Sequence, residues 1–517
     1  MAKAQKSRAS KLKYMSPMYP TLPGFETPFE QNLNPNNRWV ILSKQLPWDL
    51  LVSRYQKQMR NSSMGADGIN PRVAIGSIII KHMCNLSDRE TVQQIQENIY
   101  MQYFIGFSSF NNEEPFDHSL FVEFRKRLTL DDINYINEEI VKQFLSKEQG
   151  NNTNKNTEKN EISKSKPEEE SDSEEGAEDP QVVKYGKLIL DATACPQDIA
   201  YPTDINILND AREKSEQIID RLYDHTKSEV KPRTYREKAR KDFLKIAQKK
   251  TKTNKQIRIG LRQQLQYLNR NIKHINRMLD ELGCIPLDEK LYKYLLVIQT
   301  TYQQQKEMYD NKSHRVADRI VSIHQPQVRP IVRGKTNANV EFGSKIQVSL
   351  VNGFVFLDDI SWDAFNEGTR LISSVEKYKN TFGFYPQEVL ADKIYCNREN
   401  RAWLKSKDIL LKAKPLGRPP AVSIHLSPGE RNPIEGKFGQ AKMSYGLNRI
   451  KARLIQTSES WIATIIMVLN LVKLAGKVPH FLYYGIKRIR IKCIKIYGLR
   501  NIIYSNQFHL LTTFALT

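Results

Sequence analysis

From about Trp39 to Lys147, apolar residues recur at three- and four-residue intervals, as at Ile75, Ile78, Ile79 and Met83. That spacing predicts a series of short helices. Ser87 with Glu90 three residues on makes a capping box that opens one of them. Asp117 or Ser119 caps another, whose apolar face is Phe121, Phe124 and Leu128. Such a block suits a helix-turn-helix type of DNA-binding module or a plain helical bundle, and the pattern does not choose between them.

The periodicity then stops. "NNTNKNTEKNEISKSKPEEESDSEEGAEDP" is polar and acidic and predicts a disordered linker over about 148–182. "GKLILDATACPQD" reads as a short buried strand ending in Asp191. "NDAREKSEQIIDRLYDHT" reads as a helix capped by Asn209 or Asp210. From about Lys231 to Ser322 the chain is helical and basic, with Leu261, Leu265, Leu268, Ile272, Ile275 and Leu279 spaced to close a helical hairpin or coiled coil.

Strands return in "KIQVSLVNGFVFLDDISWD", where Asn352-Gly353 predicts a tight hairpin. "GTRLISSVEKYKNTFGFYP" is a helix, "EVLADKIY" an apolar run holding Asp392, "NRENRAWLKSKD" a helix, "ILLKAK" a strand and "LGRPPAV" a loop. "RNPIEGKFGQAK" starts a helix with Pro433 in its first turn, although Gly436 and Gly439 weaken it. "WIATIIMVLNLVKLAGK" is broken by Asn470 and Lys473 and falls short of the roughly 20 apolar residues of a membrane span, so it reads as a buried helix. Mixed strands and helices predict an α/β (α+β) fold.

Charge narrows the function. The 517 residues carry 79 Lys+Arg against 57 Asp+Glu, a net charge of +22, which favours a polyanionic partner such as nucleic acid. The five cysteines form no Cys-x-x-Cys pair, which argues against a zinc ribbon and for a reduced, cytoplasmic chain. The basic N-terminus has no apolar stretch behind it and does not read as a secretory signal.

Asp191 and Asp392 are expected at strand ends, with Glu435 as a third carboxylate on a helix. Three such groups from distant segments can meet at a sheet edge and hold two divalent cations. Phosphodiester cleavage needs an activated oxygen nucleophile and a stabilised leaving oxygen, which a metal pair provides. Taken singly, a strand-terminal Asp is often a turn residue and Glu435 a surface ion-pair partner.

In combination these residues resemble the DDE transposases of bacterial insertion sequences. Many of those carry Tyr, two residues, Arg, three residues, Glu, six residues, Lys. Arg431, Glu435 and Lys442 stand at these intervals, with Pro428 where the tyrosine falls. "LILDATACPQDIAYPTD" and "ADKIYCNRENRAWLK" resemble the family's two aspartate segments. "LSDRETVQQIQENIYMQYFIGF" with "PFDHSLFVEFRKRL" resembles its N-terminal helical domain.

The resemblance implies a ribonuclease-H-like core over 183–476, after an N-terminal DNA-binding domain over 1–147 and before a basic tail over 477–517. The long interval from Asp191 to Asp392 implies a helical insertion at about 228–325. It further implies Asp191, Asp392 and Glu435 as catalytic ligands of two Mg²⁺ ions, with Mn²⁺ as a substitute. Arg431 and Lys442 would bind DNA phosphates, with Lys393, Lys345 and Asp198 as weaker auxiliary candidates. The implied activity is cleavage and strand transfer of an insertion sequence. The partners would be double-stranded DNA (terminal inverted repeats and target) and a second copy of the chain, in a cytoplasmic, nucleoid-associated setting without a membrane. Two alternatives are a ribonuclease-H-like nuclease without strand transfer and an inactive, transposase-derived DNA-binding protein.

Overall fold

The computed structural model describes residues 14–17, 27–59, 68–157, 186–226, 230–335, 338–413 and 429–476. The disorder expected in the acidic stretch after Thr157, the loop "LGRPPAV", Pro428 and the basic tail lie outside the described residues.

The N-terminal block is helical: α1 (Pro28–Asn32), α2 (Arg38–Gln45), α3 (Trp48–Lys57), α4 (Pro71–Cys84), α5 (Asp88–Glu97), α6 (Ile99–Phe104), α7 (Phe121–Arg127) and α8 (Leu130–Thr157). The capping box forms. The Ser87 amide donates to Glu90 at 2.8 Å, and the Glu90 amide donates to the Ser87 hydroxyl at 3.2 Å. Asp117, not Ser119, caps the 3-10 turn before α7, and Phe121, Phe124 and Leu128 are buried as the spacing predicts. Helix α8 continues through Thr157, so the expected linker does not begin at 148.

Strand β1 (Lys187–Pro196) follows, then four helices: α9 (Asp204–Tyr223), α10 (Arg236–Ala247), α11 (Asn254–Leu282) and α12 (Glu289–Asp310). Helix α9 starts at Asp204 with Thr203 as its cap, not at Asn209 or Asp210, because Ile205, Ile207 and Leu208 already face an apolar partner. That partner is the stripe of α11. Leu265, Leu268 and Ile275 are buried against α9 and α12, and Leu261, Ile272 and Leu279 flank them. The helical body between β1 and β2 therefore begins with α9, earlier than residue 228.

The remaining strands are β2 (Arg329–Lys335), β3 (Ala338–Val351), β4 (Phe354–Ser361), β5 (Glu388–Leu390) and β6 (Leu410–Lys412). The sheet runs β2-β3-β1-β5-β6, with β4 also on β3. Strand β1 is antiparallel to β3 and parallel to β5, and β5 is parallel to β6. Asn352 (φ 50°) and Gly353 (φ 78°) turn β3 into β4, both in the left-handed region that such hairpins need. Helices α13 (Leu371–Phe382) and α14 (Arg398–Ser406) precede α15 (Asn432–Ser444) and α16 (Ile455–Leu474). The result is a mixed α/β fold with sixteen α-helices among the described residues.

Alternation along β1 splits its side chains between two cores. Leu188 and Leu190 join Val375, Tyr378 and Leu404 of α13 and α14. Ile189 and Cys195 join Ile434, Ile462 and Ile466 of α15 and α16, in a core that also holds Phe104, Phe121 and Ile136 of the N-terminal block. Helix α16 is long and apolar enough to cross a membrane, yet it is mostly buried and packs against α4, α7, α8 and β4. Its Asn470 is fully buried. The Asn470 side chain accepts from the Val355 amide and donates to the Val355 carbonyl, both at 2.8 Å, and donates to Asn137 at 2.8 Å. Among the described residues strand β4 pairs only with β3, so this amide takes the place of a neighbouring strand at its outer edge.

Candidate active site

Asp191 lies inside β1, which continues to Pro196; it does not end the strand. The apolar run stops at Asp191, but the backbone stays extended because β3 pairs with β1 from Leu188 to Pro196. What ends near Asp191 is its other neighbour. The last parallel pair of β1 and β5 is Ile189 with Leu390. Two residues beyond it on each segment stand Asp191 and Asp392. The sheet therefore opens where the two carboxylates emerge. Asp392 caps a 3-10 turn at 393–395, accepting from the Lys393 amide at 2.7 Å.

Helix α15 brings the third carboxylate. Arg431 is its N-cap residue with helical dihedrals (φ −90°, ψ −16°), and Pro433 falls in the first turn, where its missing N–H costs nothing. The helical turn thus begins before Pro433, which puts Arg431 and Glu435 on one face. A Cβ at Gly436 or Gly439 would meet nothing, so these glycines sit on the open side of the helix.

One guanidinium joins the three. Arg431 Nη2 donates to Asp191 Oδ2 at 3.0 Å and to Glu435 Oε1 at 3.3 Å, and Arg431 Nη1 lies 3.3 Å from Asp392 Oδ1. The Asp191 side chain is 14% exposed, against 47% for Asp392 and 61% for Glu435. Burial pushes the Asp191 carboxyl up; Arg431 and the Ala192 amide oppose it, and the Glu367 carboxylate adds to it. Arg431 Nε is buried and has no hydrogen-bond partner among the described residues, an unmet donor that costs about 1–3 kcal/mol.

Among the described residues, no group of three or more His, Cys, Asp or Glu side chains is preassembled to hold a metal ion. The donor set nonetheless fits a hard divalent cation. It consists of carboxylate oxygens from three segments around one position that already carries a positive charge.

The other sequence candidates are placed as follows. Lys442 lies on α15 and is half-buried, and Lys393 is exposed beside Asp392. Lys345 is 14% exposed, donates to the Phe365 carbonyl and pairs with Glu367 at 2.9 Å. Asp198 pairs with Arg449 at 2.9 Å. Sequence reasoning missed Glu367, in a 3-10 turn before α13, and Tyr395, whose hydroxyl donates to the buried Gln347 at 2.8 Å beneath the site. The segment "ADKIYCNRENRAWLK" carried the available signal for Tyr395; Glu367 had none.

Comparison with known proteins gives two family matches. A transposase domain model matches residues 27–127, and a transposase DDE domain model matches residues 389–472. They support a DDE-type transposase. The second span includes Asp392, Arg431, Glu435 and Lys442. The chain is 33% identical over 96 residues to the uncharacterized protein ORF8 in the nfe locus of Rhizobium meliloti, covering 19% of this chain and 45% of that protein. The chain thus spans less than half the length of this relative. No solved structure matches it significantly.

Proposed function

We propose that the chain is a DNA transposase of the DDE type. It would cleave DNA at the ends of a mobile element and join those ends to target DNA, using Asp191, Asp392 and Glu435. The observation that carries this reading is the convergence of these three carboxylates on Arg431 where β1 and β5 part. The strand arrangement supports a ribonuclease-H-like core: β1, β3 and β4 are antiparallel neighbours, β5 and β6 are short and parallel to β1, and the aspartates stand on β1 and just past β5, with β2 as an additional strand on β3.

The three carboxylates would hold divalent cations, Mg²⁺ or Mn²⁺, which supply an activated oxygen nucleophile and stabilise the leaving oxygen. Arg431 and Lys442 grip phosphates beside the cut, Arg through its fork and Lys as a point charge. Lys393 faces solvent next to Asp392 and extends that anion-binding rim. The basic surface of α10 and α11 lies along more distant DNA. Two DNA ends must be joined together, so the active complex contains two copies of the chain.

The test is Mg²⁺-dependent cleavage of duplexes carrying the element's ends, comparing the parent with Asp392→Ala. The parent cleaves and the variant does not; equal cleavage by both rejects the site. Covalent joining of the cut ends to a target plasmid separates a transposase from a nuclease.

A further inference from the structure

The Arg431 guanidinium stands in the middle of the carboxylate group, bonded to Asp191 and Glu435 through one nitrogen and to Asp392 through another. We propose that Arg431 is an internal counter-cation that keeps divalent metal out of the site until a DNA phosphate draws it away. This rests on the reading of these carboxylates as metal ligands.

Two observations carry it. First, Arg431 reaches all three carboxylates, so a metal ion taking the same oxygens must displace it. An arginine side chain stays charged at any working pH and so cannot yield by losing a proton. Second, the present arrangement leaves Arg431 imperfectly satisfied, with Nε buried and unpartnered and two of its contacts at 3.3 Å. A phosphate accepts two parallel N–H bonds from a guanidinium and can engage Nε together with an Nη.

Bound DNA then does two things at once: it takes Arg431 and frees the oxygens. Metal affinity and DNA affinity are coupled, and by linkage each ligand strengthens the other. A chain without DNA holds metal weakly, which restrains cleavage away from a properly seated substrate.

The experiment measures Mn²⁺ binding to the full chain by titration calorimetry, without DNA, for the parent, Arg431→Gln, Lys393→Gln and Arg431→Gln combined with Asp191→Asn. Circular dichroism checks that each variant is folded. Arg431→Gln is expected to bind Mn²⁺ at least tenfold more tightly than the parent. Lys393→Gln removes an equal charge beside Asp392 without emptying the centre, and should gain less than threefold. Duplex binding followed by fluorescence anisotropy should tighten severalfold with Mn²⁺ for the parent and much less for Arg431→Gln. Equal Mn²⁺ affinity in parent and Arg431→Gln, or equal gains in Arg431→Gln and Lys393→Gln, overturns the proposal. If Arg431→Gln combined with Asp191→Asn binds Mn²⁺ as tightly as Arg431→Gln alone, the metal reading of the carboxylates fails instead, and the proposal falls with it.

Discussion

Arg431 Nη2 lies 3.0 Å from Asp191 Oδ2, an ion pair between residues 240 positions apart in sequence. It ties the first turn of α15 to the middle of β1, at the point where the sheet loses its parallel neighbour.

Removing Arg431 leaves a mostly buried carboxylate beside two others. Breaking a fully buried pair costs about 3–5 kcal/mol; Asp392 and Glu435 are far more exposed, so solvent screening reduces the loss to about 1–2 kcal/mol. Arg431→Gln should therefore unfold at lower urea concentration than the parent in EDTA, and Mn²⁺ should recover more stability in the variant than in the parent. An unchanged midpoint in EDTA would mean the pair is energetically idle.

How far the sequence carried this far-reaching contact is instructive. The intervals among Arg431, Glu435 and Lys442 placed α15 and its charged face, and the segment "ADKIYCNRENRAWLK" marked Asp392. Spacing within one segment cannot reveal that Arg431 bonds across the sheet to Asp191. The strand end assigned to Asp191 was misread because an apolar run reports burial, whereas β1 is prolonged by its pairing with β3. Glu367 was invisible for a related reason, since only the fold sets Lys345 against it. Asn470 read as a flaw in an apolar helix, yet it completes the edge of β4.

That last role predicts a large effect from a small change. Asn470→Leu keeps approximate volume but leaves the Val355 amide buried without its side-chain partner. An unmet buried donor costs about 1–3 kcal/mol, and the loss of the bond to Asn137 adds to it. Urea unfolding should show a loss of about 2–3 kcal/mol. A loss under half a kcal/mol would mean that water or a shifted strand meets Val355 just as well (~0.5 kcal/mol being the usual size of a neutral surface change).

The basic helical segment between β1 and β2 offers a test of DNA contact separate from the proposed active site. Lys249, Lys252 and Lys255 are exposed between α10 and α11 and at the start of α11. If they lie along the phosphate backbone, replacing all three with Gln reduces the slope of log K against log salt by about 2–3, near 0.9 for each lost contact. Anisotropy titrations across a salt series measure it. An unchanged slope would remove the arm from the DNA-binding surface.

Asp358 gives a pH dependence that can be assigned to one residue. It is the extra residue of a bulge where β4 meets β3, since Gln347 pairs with Asp359 and Val348 with Leu357. Its Oδ1 accepts from Ser349 at 2.9 Å. Burial pushes its pKa up to about 6, against the pull of Lys377 and the Ser374 and Ser349 hydroxyls, while Glu138 pushes the same way. Because the folded value lies above the unfolded one, the folded state holds the extra proton between about pH 4 and pH 6. Stability from this group is present below the unfolded pKa and is lost as pH rises through about 6. Asp358→Asn keeps the acceptor for Ser349 and removes the charge. The variant should match the parent near pH 4 and exceed it by about 1–2 kcal/mol at pH 8, less than the full shift implies because the protein relaxes around the ion. Denaturant unfolding at the two pH values decides it: a gain of the same size at both would assign the effect to packing instead of titration.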